Sequence, residues 1–420
     1  FSFLQRDIFL FFMNLLMGVA VARILGPEMM GLWVILLLIP GYAEAFGRLK
    51  FDIAAVYFLG KKKAKMGEMV FILNFLALLT SLILVSFFLL NFDWFYSQLF
   101  HSSQVDMHLP TYIILLIIPL QFIFLNYSYL YIHRENITVY NRMYIIDNLI
   151  SSAGGLIMLF VLDWGILGVL LGKVLGLFFA IIYSGIKFTK IERMKIKMDF
   201  RLILKMVKYS IHFYIGGVIS HLHIYITNLL TALYLAPGQV AFFSMAKGRC
   251  EMLTRLVPTA IGTLLYPKIS KSEDSNQSMI LTARAFRVTF ILLIFTGIIL
   301  AIAIKPIVYI LYGKDYLPLI IPFWIVLPGL VLSQSTSVIT KFFSGTGRPD
   351  LMPKIAIVPM VIQGLMAYSL IPLMGIVGAS IAFLVSSIVL GLIQLLVFLN
   401  ISHCSYRDIL LKKDDFYTIK

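Results

Sequence analysis

Two triplets of charged residues sit where charge is least expected. Glu44, Arg48 and Asp52 recur at i, i+4 and i+8, and so do Lys247, Glu251 and Arg255. That spacing places each triplet on one face of a helix. Both lie inside long apolar runs. An ionisable residue at the centre of a bilayer costs roughly 2.5–3.5 kcal/mol on insertion scales, so it normally faces a bundle interior or a water-filled cavity. Two readings stay open: each triplet is an ion-pair ladder that locks its own helix, or the two line facing walls of one cavity, staggered by about 10 Å of helix. Lys50 and Arg249 stand beside them. Arg48, Lys50, Lys247, Arg249 and Arg255 against Glu44, Asp52 and Glu251 leave a positive excess of two. An unpaired buried cation is costly, which points to an anionic visitor, and the planar fork of Arg suits phosphate.

Other polar groups in apolar runs carry weaker chemistry. His212, His221 and His223 share one run with Asn228. A helical histidine is more often a hydrogen-bonded interior residue, but three together keep proton coupling open. Asp147 and Lys173 read as a structural pair. Arg284 and Arg287 lie near a helix end and are expected to snorkel. Pro40, Gly41 and Pro258 are expected to kink their helices. No phosphate-binding glycine loop, zinc spacing or serine nucleophile elbow occurs, and no metal, cofactor or catalytic residue is expected. Cys250 and Cys404 form no disulfide framework.

The elements that position these residues follow from composition. Of 420 residues, 60% are hydrophobic and only 13% charged, against about a quarter in a soluble domain. The apolar residues come in blocks long enough to cross a bilayer, which takes roughly 17–25 residues. Soluble enzymes, nucleic-acid binders and secreted disulfide scaffolds are excluded. The fold class is an all-α polytopic membrane protein of about twelve spans: 8–23, 30–59, 69–92, 109–132, 143–162, 165–186, 209–235, 239–267, 280–304, 316–342, 353–373 and 375–400. The chain opens at Phe1 rather than Met, which points to residues upstream, and the first block has no signal-peptide cleavage site.

Basic residues orient the spans. One set of loops and both terminal segments hold 23 Lys and Arg, and the opposite loops hold only Arg23, Lys305 and Lys314. Basic short loops stay cytoplasmic, so both termini are expected in the cytoplasm. The net charge of +15 is then topological rather than a nucleic-acid footprint. The expected organisation is a six-helix lobe at 1–186, a basic amphipathic linker at 187–208 lying on anionic headgroups, a second six-helix lobe at 209–400, and a cytoplasmic tail at 401–420. The longest outer loop, Asp93 to His108, is too short to fold alone.

A 210-residue offset aligns the two lobes. Leu25 and Pro27 fall on Leu235 and Pro237, and Gly165-Ile-Leu-Gly168 falls on Gly375-Ile-Val-Gly378. Six spans repeated in parallel imply two lobes about an axis along the membrane normal, with a substrate site between repeats and alternating access.

Ala22-Arg-Ile-Leu-Gly-Pro-Glu28, with Gly31-Leu-Trp33 after it, resembles the turn between the first two helices of Wzx-type polysaccharide and O-antigen flippases. These belong to the multidrug/oligosaccharidyl-lipid/polysaccharide exporter superfamily. Leu235-Ala-Pro-Gly-Gln-Val-Ala-Phe-Phe-Ser244 and Phe343-Ser-Gly-Thr-Gly-Arg348 resemble two further turns of that family. The resemblance covers the whole chain. It implies an inner-membrane flippase that moves an undecaprenyl-pyrophosphate-linked oligosaccharide to the periplasmic leaflet for O-antigen, capsule or similar assembly. It also implies a V-shaped bundle with a cationic cavity lined by helices 1, 2, 7 and 8. Arg48, Lys247, Arg249 and Arg255 fit that lining as substrate-binding residues, with Glu44, Asp52 and Glu251 as cavity ion pairs. Implied partners are the lipid-linked oligosaccharide, membrane lipids, and a polymerase and chain-length regulator of the same pathway. Thr227-Asn228 stands where relatives often carry a charged residue, which argues against an acid-based coupling site there. Twelve spans also differ from the fourteen of lipid II flippases in that superfamily. Two other functions compete: a drug/cation antiporter of the same fold, which expects an acidic cavity, and a membrane glycosyltransferase or polymerase, which expects a large outer loop or acidic motifs.

Overall fold

The computed structural model describes residues 3–192, 196, 198–271, 274–402 and 406. Most of the expected tail at 401–420, and Arg193, Lys195 and Lys197 of the expected linker, lie outside them. Among the described residues there is helix and no strand. In hydrocarbon every backbone N–H and C=O must find its partner within the segment, and an apolar helix does that.

The helices are α1 (Phe3–Gly47), α2 (Phe51–Gly60), α3 (Met66–Leu90), α4 (Phe92–Leu99), α5 (His108–His133), α6 (Ile137–Phe160) and α7 (Gly165–Ile191). They continue with α8 (Phe200–Tyr234), α9 (Pro237–Thr254), α10 (Leu256–Lys271), α11 (Ser275–Tyr312), a 3-10 turn at Lys314–Leu319, α12 (Ile320–Thr336), α13 (Ile339–Gly345) and α14 (Leu351–Ser402).

Nine segments of the described residues are long and apolar enough to cross a membrane. Two are double. α1 contains a non-helical Gly26 and α14 a non-helical Gly375, and at 1.5 Å per residue each is at least twice as long as a bilayer core of about 30 Å. The remaining crossing is the broken pair α9 and α10, whose charges lower its hydropathy. Nine segments, two of them double, together with this broken one make twelve crossings.

Two of the expected spans are not continuous. The second is interrupted after Gly47, where Leu49 and Lys50 take left-handed backbone (φ 49° and 55°), a conformation uncommon for residues with side chains. The eighth is interrupted at Arg255, between Thr254 and Leu256. Pro258 has no N–H to give the carbonyl of Thr254, so the first half-helix ends there. Pro40, by contrast, is accommodated inside α1.

The expected linker helix at 187–208 is corrected as well. Lys187 and Lys190 extend α7, and Arg201, Lys205 and Lys208 belong to the first turns of α8, started by the Asp199 carboxylate accepting the N–H groups of Arg201 and Leu202. The loop expected on the outer side, Asp93 to His108, includes most of the short helix α4, packed by stacked rings such as Tyr96 on His108.

The chain divides into two compact units: Phe1–His221 with Ala236–Gly238, and Leu222–Leu235 with Gln239–Lys420. The division runs through α8 rather than through a linker. In the first unit α7 packs along α6 and α5, α5 along α3, and α1 along α5 and α6. Gly168, Gly172 and Gly176 form the small-residue stripe of α7 facing α6, the usual means of close helix approach in lipid. In the second unit α12 packs on α14 and α11 on α12, and Phe286, Ile339, Phe342, Phe343 and Phe398 form a separate core where α11, α13 and α14 meet. Gly165 and Gly375 hold φ 55° and 58°, so the repeat visible in the sequence recurs in the backbone.

Candidate functional site

The first charged triplet is assembled across the break between α1 and α2, not along one continuous helix. Glu44 ends α1, Arg48 lies in the break, and Asp52 opens α2. Arg48 Nη1 is 3.5 Å from Glu44 Oε1, and Nη2 is 3.6 Å from Asp52 Oδ1. These are ion-pair distances longer than a hydrogen bond, and both Arg48 Nη2 and Asp52 Oδ1 lack a hydrogen-bond partner. Gln121 Nε2 donates to Glu44 at 3.1 Å, and the guanidinium lies 5.2 Å from the Tyr129 ring centroid. Arg48 and Asp52 are buried. The guanidinium borders a void of about 10 Å³ shared with Phe51, Leu73, Ala77, Thr80, Phe122 and Asn126, all inside the first unit. The helix break therefore does not expose Arg48; it turns the charge inward.

The second triplet does not assemble. Among the described residues no ion pair joins Lys247, Glu251 and Arg255. Lys247 is buried and instead donates to the Ile224 carbonyl at 2.6 Å and to Asn228 Oδ1 at 3.4 Å, with its ammonium 4.9 Å above Phe383. Arg255 is exposed at the break. Arg249, two residues and about 200° around the helix from Lys247, lies 5.9 Å from the Tyr312 ring. Its Nε and the Tyr312 hydroxyl are both buried without a hydrogen-bond partner.

The lobes thus differ in how their charges are matched. In the first unit Lys173 Nζ reaches the Asp147 carboxylate oxygens at 2.8 and 2.9 Å, the structural pair expected from sequence, and Arg48 has two carboxylates. In the second, neither Arg249 nor Arg255 meets a carboxylate among the described residues. Arg287 is buried rather than snorkelling, while Arg284 is exposed.

The two histidines whose side chains are described, His221 and His223, face different partners. His221 Nδ1 faces the Gly217 carbonyl of its own helix at 3.1 Å. His223 Nε2 faces Ser386 Oγ on α14 at 2.9 Å. The side chain of His212 lies outside the described residues. Around His223 runs a buried polar chain that sequence reasoning missed: Ser386 Oγ lies 3.0 Å from both Pro359 O and Gln363 Oε1, and Gln363 Nε2 donates to Thr227 Oγ1 at 2.6 Å. Gln363, an uncharged amide alone in an apolar run, was the signal that could have found it. Among the described residues no three His, Cys, Asp or Glu side chains converge as metal ligands.

The family described as polysaccharide biosynthesis protein matches residues 20–321 of this chain. Among solved structures, the chain is similar to the lipid II flippase MurJ in an inward closed conformation, at 17% identity over 97% of this chain and 89% of that one, with a TM-score of 0.77. It is similar to an inward-facing multidrug resistance MATE family transporter of the MOP superfamily, at 14% identity over 93% and 94%, with a TM-score of 0.72. A MOP superfamily transporter from Pyrococcus furiosus, described as having a binding pocket of reversed polarity, is similar at 13% identity over 93% and 98%, with a TM-score of 0.58. No curated protein matches the chain. At these identities the structures establish the fold, that of multi-pass membrane transporters and flippases.

Proposed function

The chain belongs to the polysaccharide biosynthesis protein family, and from that premise we propose that it flips a lipid-linked oligosaccharide. The substrate in this reading is an undecaprenyl-pyrophosphate-linked oligosaccharide, carried from the cytoplasmic to the periplasmic leaflet of the inner membrane by alternating access. Both termini are cytoplasmic, and the product feeds a polymerase and chain-length regulator that assemble O-antigen, capsule or a related polymer.

One observation carries the reading. Arg249 and Arg255 lie in a membrane-crossing element with no carboxylate beside them among the described residues, whereas Arg48 and Lys247 already have partners. Arg249 keeps a buried Nε without a partner and Arg255 stands exposed at the break, so among the described residues both guanidinium groups are without a counter-charge, and a pyrophosphate supplies one. Arg249 and Arg255 are therefore proposed as phosphate ligands, and Arg48 and Lys247 as residues that hold the half-helices in place. Multidrug transporters share the fold, but the unmatched charge here is positive, opposite to what a cationic drug needs. A transporter also needs no catalytic acid.

The test is accumulation of carrier-linked sugar in the inner leaflet of cells lacking the protein. Rescue by wild type but not by Arg255→Glu is expected. Equal rescue by both removes Arg255 from the phosphate site, and no accumulation at all overturns the flippase reading.

A further inference from the structure

Lys50 is the neighbour that Arg48 conceals. It stands in the break between α1 and α2, two residues past Arg48, and its left-handed backbone (φ 55°) sends its side chain a different way. The side chain runs across α8. A Cβ added at Gly217 would lie 2.3 Å from Lys50 Cε and 3.2 Å from Nζ, so the stem occupies the notch that the missing side chain leaves. The notch is held in register from both sides, within the same compact unit. Tyr214 donates its hydroxyl to the Phe46 carbonyl at 3.1 Å, one of the carbonyls that the end of α1 leaves open, and Tyr57 of α2 stacks on Tyr209 of α8 at 4.4 Å.

What the ammonium lacks is a partner. Arg48 has Glu44 and Asp52, and Lys173 has Asp147, but among the described residues the Lys50 ammonium meets no carboxylate and no other acceptor, its backbone carbonyl alone being engaged, by Ile53 and Ala54. The residue is half-buried, its stem held in the notch, and its ammonium is not among the enclosed polar atoms, so a ligand can reach it. A lysine placed by a glycine notch, with three free donors and no counter-charge, is arranged to meet an anion.

We infer that Lys50, laid over Gly217, is a phosphate-binding residue within the first unit. This rests on the flippase reading and extends it, since the sequence pattern pointed to Arg48 for that part. The shared ligand chemistry is a phosphate monoanion or dianion, which a diphosphate carrier and a phospholipid headgroup both offer.

The test uses the full chain purified in neutral detergent and three probes: geranylgeranyl pyrophosphate, geranylgeraniol, and phosphatidylglycerol. Wild type is expected to prefer the pyrophosphate over the alcohol. Lys50→Gln is expected to weaken pyrophosphate binding roughly ten- to a hundredfold, as for loss of one charge-assisted contact. Lys50→Arg keeps most of the affinity, and Lys61→Gln, an exposed lysine nearby, keeps all of it. Gly217→Val, with its melting temperature checked, weakens binding because its side chain takes the place of the lysine stem. Unchanged affinity in Lys50→Gln overturns the inference while leaving the flippase reading standing. Phosphatidylglycerol binding as tightly as the pyrophosphate, with the same loss in Lys50→Gln, overturns the carrier assignment in favour of a headgroup site. No preference of wild type for pyrophosphate over the alcohol overturns the flippase reading itself.

Discussion

Gly165 and Gly375, 210 residues apart in the chain, both turn the backbone through a positive φ, 55° and 58°. Each sits where one helix of an antiparallel pair gives way to the next, at the same place in its repeat. Three residues on, Gly168 and Gly378 repeat a second feature: a Cβ there would fall 2.7 Å from Met158 Cβ and 2.2 Å from the Leu370 carbonyl. The turn and the close approach are thus coupled in both lobes.

Gly375→Ala is expected to destabilise the protein by about 1–3 kcal/mol, the cost of a side chain at that backbone conformation. Gly248→Ala is the contrast, because nothing lies within 4 Å of a Cβ there and its helical backbone accepts alanine, so it should be neutral or slightly stabilising. Thermal unfolding in detergent reads both, and equal melting of the two variants would sink the argument.

Asp147 and Lys173 tie α6 to α7 inside the first unit. Removing either partner alone strands a charge, whereas replacing both with apolar residues of similar size is far less damaging. A double-mutant cycle of Asp147→Leu and Lys173→Met should give a coupling of roughly 0.5–3 kcal/mol. The exposure of the lysine, about a third of its side chain, places the value toward the lower end. Additive single effects would mean the pair is incidental.

Outside the membrane, Asp106 accepts the backbone N–H of His108 at 2.9 Å and lies against its ring, and these contacts hold its carboxyl below the usual carboxylate range, the backbone bond most of all. A carboxyl lowered in the folded state stabilises above its unfolded value and loses that contribution as pH falls through the lowered one. The difference in melting temperature between wild type and Asp106→Ala should therefore be present at neutral pH and vanish in acid. A difference that persists unchanged into acid contradicts this.

Much of the architecture was legible because lipid leaves so few options. Twelve apolar blocks had to become twelve crossings, and the 210-residue repeat had to place Gly165 and Gly375 alike. What escaped were places where a side chain chooses among partners that linear spacing cannot rank. Lys247 and Glu251 are spaced for a ladder, yet the ammonium takes the Ile224 carbonyl on the neighbouring helix, because a buried donor goes where an acceptor is already fixed. Arg48 was found with both its carboxylates, but its setting was not legible: the break that follows Gly47 has no proline to announce it, and Arg48 and Lys50 both stand in that break rather than on one continuous helix. The linker was read as a surface helix from its basic, amphipathic composition, and composition does not say that α8 begins at Phe200 and runs on to Tyr234.

That continuity has a mechanical consequence. At 1.5 Å per residue the 35 residues of α8 make a rod of about 52 Å, some 20 Å longer than a bilayer core. Its apolar part is Phe213–Tyr234, so the overhang is the end that carries Arg201, Lys205 and Lys208. A rod that pivots at its middle turns angle into distance at its ends: a tilt of ~10° about Gly217, its midpoint, swings the Phe200 end by about 4–5 Å. If Lys50 binds the phosphate as proposed, a small tilt imposed beside Gly217 arrives enlarged at the end of α8 that carries Arg201, Lys205 and Lys208.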